Sequence, residues 1–425
     1  MKNNTIAVCY SAYINEDCTP KDLAESILKV NKEFKESSYD IKFYIIIFDP
    51  KEQNAVSVIK ELRESHQLRL RILEEPLDPK YKSYCTKGHS MSNGAIVSYL
   101  DGCDFVGFMD GDETIPDGKF PHMLESMKKY NADICFVDIP RSVFSGLITN
   151  SLLIYFTCYL DYSVPGFISG YYLLTKDLAK KLFHVQNDEQ IKEELDNTID
   201  ISPNMFIKLS DSLDSSIENY RTWAIDTSIV VLSLLSHHAK CCAAQVTPKV
   251  DRSALRYGDA GVGTIEKMFN ELIGGIARMV ALLDINKRTP MIPKKPPTYG
   301  DLEEEIEHKP IDTDPYKKIV EKYNKNKERK DEYEKIVSIC PGYFETEPNV
   351  ANLDIICQNH GQLLRKLISE IDKTNYRFIG HCLVTACMQF MILRVELLKK
   401  AHVEGKELET FADEIQSKVT DTLVS

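Results

Sequence analysis

Short apolar or β-branched runs alternate with longer stretches of three- and four-residue periodicity through the first part of the chain. Thr5–Cys9, Ile41–Phe48, Arg69–Leu73, Phe105–Met109 and Ile134–Val137 have the length and composition of strands. Between them Leu23–Phe34, Ala55–Ser65 and Ser90–Leu100 are long enough for helices, several with acidic, Ser or Asn starts that can receive free backbone amides. Such a βαβ series predicts a mostly parallel sheet with helices on both faces, and it puts binding loops after the carboxyl ends of the strands.

The pattern then changes. From Thr264 to Leu283, Ile265, Met268, Phe269, Leu272, Ile273, Ile276, Met279, Val280 and Leu283 mark one face of a long helix. A Pro- and Lys-rich stretch and a charged one follow, and then two apolar helical stretches, Leu363–Ile371 and Phe378–Leu398. The expected organisation is an α/β domain over residues 1–258 and an all-helical domain over 259–425, with a charged connection at about 288–335. The apolar stretch Cys382–Met388 is core, or the face of a homo-oligomer. The apolar runs Leu152–Leu160 and Ile229–Leu235 are shorter than the roughly 20 residues that span a bilayer, so no transmembrane helix is expected.

Composition narrows the partners. A formal charge of −12 speaks against nucleic-acid and anionic-membrane surfaces, and a phosphate-bearing ligand would need a metal or local basic groups to overcome it. The amino-terminal residues lack a signal-peptide pattern and the 12 cysteines lack framework spacing, which together suggest a cytoplasmic protein with free thiols. His237-His238 and Cys241-Cys242 lack zinc-ligand spacing and read as buried at a helix end.

The strand Phe105–Met109 runs into Asp110-Gly111-Asp112. Two carboxylates one residue apart at the carboxyl end of a buried strand make a hard oxygen site for Mg²⁺ or Mn²⁺, the ions that clamp a diphosphate; an ordinary acidic turn would look the same. Other polar groups follow the other strands: Tyr10 through Glu16, Asp49-Pro50 and Lys87-Gly88. Arg141, with Thr149 eight residues on, could grip a carboxylate and a hydroxyl, or could form a surface ion pair. Gly258–Thr264 lacks the lysine of a phosphate-binding P-loop, no G-x-G-x-x-G follows the first strand, and no G-x-S-x-G occurs.

In this order Lys87-Gly88, Asp110-Gly111-Asp112, Pro140-Arg141 with Thr149, Gly166–Lys176, Trp223–Thr227 and Lys249-Val250-Asp251 resemble the mannosylglycerate synthases. The resemblance implies a GT-A fold, a divalent metal, a nucleotide-diphosphate sugar donor such as GDP-mannose, and transfer to D-glycerate with retention, giving a compatible solute. It implies Asp112 and Asp251 as metal ligands, and places Asp110, Gly111, Lys87, Tyr10, Glu16, Asp49 and Tyr257 around the nucleotide. Arg141 and Thr149 would hold the glycerate, Ile168, Ser169 and Gly170 would line the substrate, and Asp226 would contact the acceptor or the transferred sugar.

Two departures qualify the resemblance. The family pattern has Lys-x-His where this chain has Lys249-Val250-Asp251; aspartate is the harder ligand, so metal preference or donor affinity should differ. The stretch between Lys176 and Trp223 is longer and acidic, and could reshape the acceptor mouth. Competing readings are the same scaffold acting on another donor or on phosphoglycerate, and a catalytically silent nucleotide-binding scaffold.

Overall fold

The computed structural model describes residues 4–16, 18–35, 37, 39–111, 119–139, 142–144, 148–186, 189–213, 218–246, 262–300, 308, 310–325 and 329–425. They fall into two units, residues 1–140, 165–255 and 296–304 in the first and residues 141–164, 256–295 and 305–425 in the second.

The first unit is built on strands β1 (Thr5–Tyr13), β2 (Asp40–Phe48), β3 (Leu70–Glu74), β4 (Phe105–Asp110), β5 (Ile134–Asp138), β6 (Tyr172–Thr175), β7 (Cys241–Gln245) and β8 (Thr298–Tyr299). They form one sheet in the order β3-β2-β1-β4-β6-β5-β7-β8. Pairing is parallel except at β6, which runs antiparallel to both β4 and β5. Side chains alternate along β1. Ile6, Val8, Tyr10 and Ala12 join the core beneath α1 (Pro20–Phe34) and α4 (Lys119–Tyr130), while Cys9 on the opposite face meets Gly94 of α3 (Lys87–Leu100).

Local sequence explains where the helices begin. Thr19 and Asp22 form a reciprocal capping box at α1, with Pro20 in the first turn. Thr86 caps α3 by accepting from the His89 amide at 3.3 Å. Helix α2 (Ala55–His66) has no side-chain cap from Asn54; Asp49 serves instead, accepting from the Gln53 and Ala55 amides at 2.9 and 3.1 Å.

The long stretch after β6 carries α5 (Lys176–Leu182), α6 (Glu189–Asn197) and α7 (Pro203–Asp211). Much of it covers an outer edge of the sheet, while its last residues, Tyr220 and Thr222, lie against Gly88 beside Lys87. Ile201 pairs with β3, donating to Ile72 O at 2.7 Å and accepting from Glu74 N at 3.1 Å. Asp200 receives the Ile72 amide at 3.0 Å and a two-pronged contact from Arg63 at 2.6 and 3.2 Å. Helix α7 is tied to α3 by the buried Asn93, whose Nδ2 reaches Phe206 O and Ser210 Oγ. Helix α8 (Ile225–Val231) and a π-helical turn then lead to β7; Cys241 and Cys242 lie inside that strand, not at a helix end.

The second unit is helical apart from its connections: α9 (Val262–Leu282), α10 (Asp314–Lys325), α11 (Lys330–Ile339), α12 (Leu353–Ser369), α13 (Tyr376–Val403), α14 (Leu408–Val424) and the short helical run 149–159. The predicted apolar face of α9 buries Phe269, Leu272, Ile273, Ile276, Met279 and Val280, and Ala277 packs against Gly380 of α13. Contrary to expectation, α13 is long and apolar enough to cross a membrane; most of that apolar stretch is buried against its neighbours, as in a core helix. The stretch expected as a charged connection contributes β8 to the sheet, and α10 buries Tyr316, Ile319 and Val320. All 12 cysteines are free thiols.

Candidate active site

The site forms at the carboxyl ends of β1 and β4. Asp110 closes β4 opposite Ser11 of β1, and the Gly111 amide donates to Ser11 O at 2.9 Å. Gly111 lies against Ala12, and Cys18 Sγ donates to the Gly111 carbonyl at 3.1 Å, so the backbone is pinned on both sides where the acidic motif begins.

Lys87, in the first turn of α3, gathers the charges. Its Nζ stands 3.1 Å from Asp110 Oδ2 and 3.1 Å from Asp226 Oδ2. Asp226 sits in the first turn of α8, and a close approach brings that turn to Lys87: a Cβ on Gly88 would meet Thr222 N and Tyr220 O at 2.6 Å. The ring of Trp223 lies 5.9 Å from Lys87 Nζ. Burial alone would push the Lys87 amine down, but the two carboxylates outweigh it and hold its proton affinity well above the ordinary lysine range. Asp226 is almost fully covered, and its second oxygen, Oδ1, has no hydrogen-bond partner. An orphaned carboxylate oxygen beside a two-carboxylate cluster is one that a ligand or cation would satisfy.

Behind Asp110 lies the loop Gly166 to Gly170. Ser169 is buried and bonds within the loop, donating to Tyr171 O at 3.3 Å and accepting from its amide at 3.2 Å. Gly170 adopts a φ of +71°, and a side chain there would overlap the Asp110 carboxylate. Ile168 is half-buried in the same loop.

Among the expected residues, Lys87, Asp110, Gly111, Asp226 and the Ser169-Gly170 turn therefore come together. Tyr10 does not belong with them. Expected in a loop, it lies inside β1, which runs on to Tyr13; it is buried in the core, bonded to Ser26 at 3.3 Å and packed near Phe43. Burial raises its phenol well above the usual range. Asp49 caps α2, and Glu16 is exposed, 3.9 Å from Lys51. Thr149 begins the helical run of the second unit. Asp112, Arg141, Asp251 and Tyr257 lie outside the described residues. No cluster of three metal-ligating side chains occurs among the described residues; the paired carboxylates and the orphaned Asp226 oxygen are hard donors of the kind a divalent cation takes.

Tyr13, from the run Tyr10 to Glu16, and two residues that sequence reasoning missed, Glu75 and His89, line the same edge. Tyr13, at the end of β1 opposite Phe48, exposes about half its surface, with the two rings 5.1 Å apart. Glu75, just past β3, is buried and accepts from the Ser90 hydroxyl; burial pushes its carboxyl up to about 8, against the lowering contacts of Ser90 and Cys85. His89 is neutral, since burial and then Arg221 hold it down at about 4.

Residues 11–150 match the family described as glycosyl transferase family 2, a span that runs from the end of β1 through β5 and contains Lys87 and the Asp110 motif. The protein is a glycosyltransferase. Its mostly parallel sheet, with the antiparallel β6 beside the strand that carries the acidic motif, is a GT-A fold followed by helices. None of the curated proteins matches the chain. Solved structures it is similar to include glucosyl-3-phosphoglycerate synthase from Mycobacterium tuberculosis in complex with uridine diphosphate, with 14% identity over 65% of this chain and 79% of that one at a TM-score of 0.35. Another is S. aureus TarS 1–349, with 11% identity over 95% of this chain and 92% of that one at a TM-score of 0.37.

Proposed function

We propose that this glycosyltransferase moves mannose or glucose from a nucleotide-diphosphate sugar, GDP-mannose being the leading donor, to D-glycerate with retention, giving a compatible solute. The observation that carries the reading is the cluster of Lys87, Asp110 and Asp226 at the end of β4, immediately before Gly111-Asp112. A divalent cation, for which Asp112 and Asp251 are the assigned ligands, would supply positive charge beside the donor diphosphate. Lys87 adds a fixed cation beside the same phosphates, and Tyr13 offers an exposed aromatic face for the base. Asp226, with one oxygen held by Lys87 and the other free, is suited to accept a hydroxyl of the sugar or acceptor. Arg141 and Thr149 are assigned to the acceptor acid, for which phosphoglycerate is the alternative to glycerate.

Two variants test these roles. Asp112→Ala should lose metal-dependent transfer by at least about 10²-fold, the scale of removing one stabilising group from the transition state, while melting as the wild type does. Full activity in that variant would sink the metal assignment. Arg141→Ala should raise the KM for the acceptor at unchanged donor affinity; unaltered acceptor kinetics reject it as the carboxylate clamp.

A further inference from the structure

We infer that Arg394, on α13, forms an anion-recognition site in the helical unit that takes the carboxylate or phosphate of a small acid. The inference concerns the helical unit alone and names a residue that the proposed function did not include.

Arg394 carries a charge that no carboxylate among the described residues compensates. Arg394 is 7% exposed, and burial lowers the proton affinity of its guanidinium without neutralising it. It donates through Nη1 to Val143 O at 2.7 Å. Among the described residues no carboxylate lies within ion-pair distance of it. Three other largely covered cations are all compensated: Arg63 by Asp200, Arg71 by Asp101, and Lys87 by Asp110 and Asp226. Glu396, two residues along α13, is engaged elsewhere by Thr313, Lys399 and Lys317.

The surroundings make the imbalance costly. Tyr155, fully buried, lies close enough to influence the guanidinium, and its ring packs at 5.9 and 6.1 Å from those of His360 and Phe390. His360 is held neutral by burial, at about 3. An unpaired charge among such groups is unfavourable unless water or an anion completes it, and none of the remaining Arg394 nitrogens is buried without a partner, so they are open to either. One of five N–H donors is spent on Val143, and those remaining form a planar fork that matches two oxygens of a carboxylate or phosphate. The anchor itself is fixed, because the Val143 amide donates to His308 Nδ1 at 3.3 Å. The chain segment that anchors Arg394 is also the one that carries Thr149.

The test uses the full chain and measures binding, so it does not depend on turnover. D-glycerate and inorganic phosphate are titrated separately into wild type, Arg394→Gln and Arg394→Lys by calorimetry and thermal shift. The wild type should bind at least one of the two, the stronger response identifying carboxylate or phosphate recognition. Arg394→Gln should bind that anion at least tenfold more weakly and Arg394→Lys to an intermediate degree, with nucleoside diphosphate binding unchanged in all three. If Arg394→Gln fails to fold, Arg394→Lys carries the test, since it keeps the charge and loses the fork. Equal anion affinity in the wild type and the Lys variant, or no anion binding by the wild type, overturns the inference. Absence of nucleotide binding by the wild type would instead overturn the proposed function and leave this inference standing.

Discussion

Lys87 holds two carboxylates that would otherwise repel each other in a largely covered site, so its removal should cost more than a contact. Lys87→Met should destabilise the protein by about 3–5 kcal/mol, the scale of breaking a buried pair, as measured by urea unfolding; a variant as stable as wild type would mean the carboxylates find other compensation. Gly170→Ala combines a left-handed backbone with overlap on Asp110. It should lose roughly 1–2 kcal/mol from the backbone alone, and transfer activity should fall further as Asp110 is displaced. Glu75 supplies a pH test. Its folded-state proton affinity is raised, so its contribution to stability is complete below about 4.5 and is lost as pH rises through about 8. Melting temperature should therefore fall across that window in wild type and fall less in Glu75→Gln, and parallel curves would show that Glu75 ionises freely. At this scale Lys87, Asp110 and Asp226 were legible because each follows a strand or opens a helix in a recognisable order. Glu75 was not, since one glutamate after a strand looks solvated until α3 folds over it. Tyr10 was misread because the polar run Ser11 to Tyr13 hides a strand that β2 and β4 extend by pairing on both edges.

Elements with strong periodicity were readable, as α1, α2, α3, α9 and α13 are, each within a few residues at one or both ends. Strands β6 and β7 were not. Tyr172–Thr175 is only four residues long, Cys241–Gln245 lacks β-branched residues, and an antiparallel strand inside a parallel sheet leaves no local signal. The docking of the 177–222 stretch on β3 was equally hidden, because it depends on partners more than 100 residues away. It makes a prediction at this scale. Asp200→Ala removes the Arg63 fork and the acceptor for the Ile72 amide, and should destabilise the protein by about 2–3 kcal/mol with nucleotide affinity retained, by denaturant unfolding and calorimetry. A matching loss of nucleotide affinity would tie this edge to the site.

At the scale of the molecule, the chain passes five times between its two units: residues 141–164 leave the sheet unit to join the helices and return at 165, residues 256–295 leave it again, and residues 296–304 return to add β8 before the chain ends in the helices. Sequence suggested one boundary near residue 258, because hydrophobic periodicity identifies elements and says little about which core they enter. The functional account depends on the sheet unit binding a nucleotide sugar with a metal and on a small acid accepting the sugar. The most direct test is incubation of the full chain with GDP-mannose and D-glycerate in Mg²⁺, Mn²⁺ or a chelator, followed by mass spectrometry of the product. The account predicts mannosylglycerate that appears only with metal; failure to turn over this or any other nucleotide sugar with either metal would contradict it.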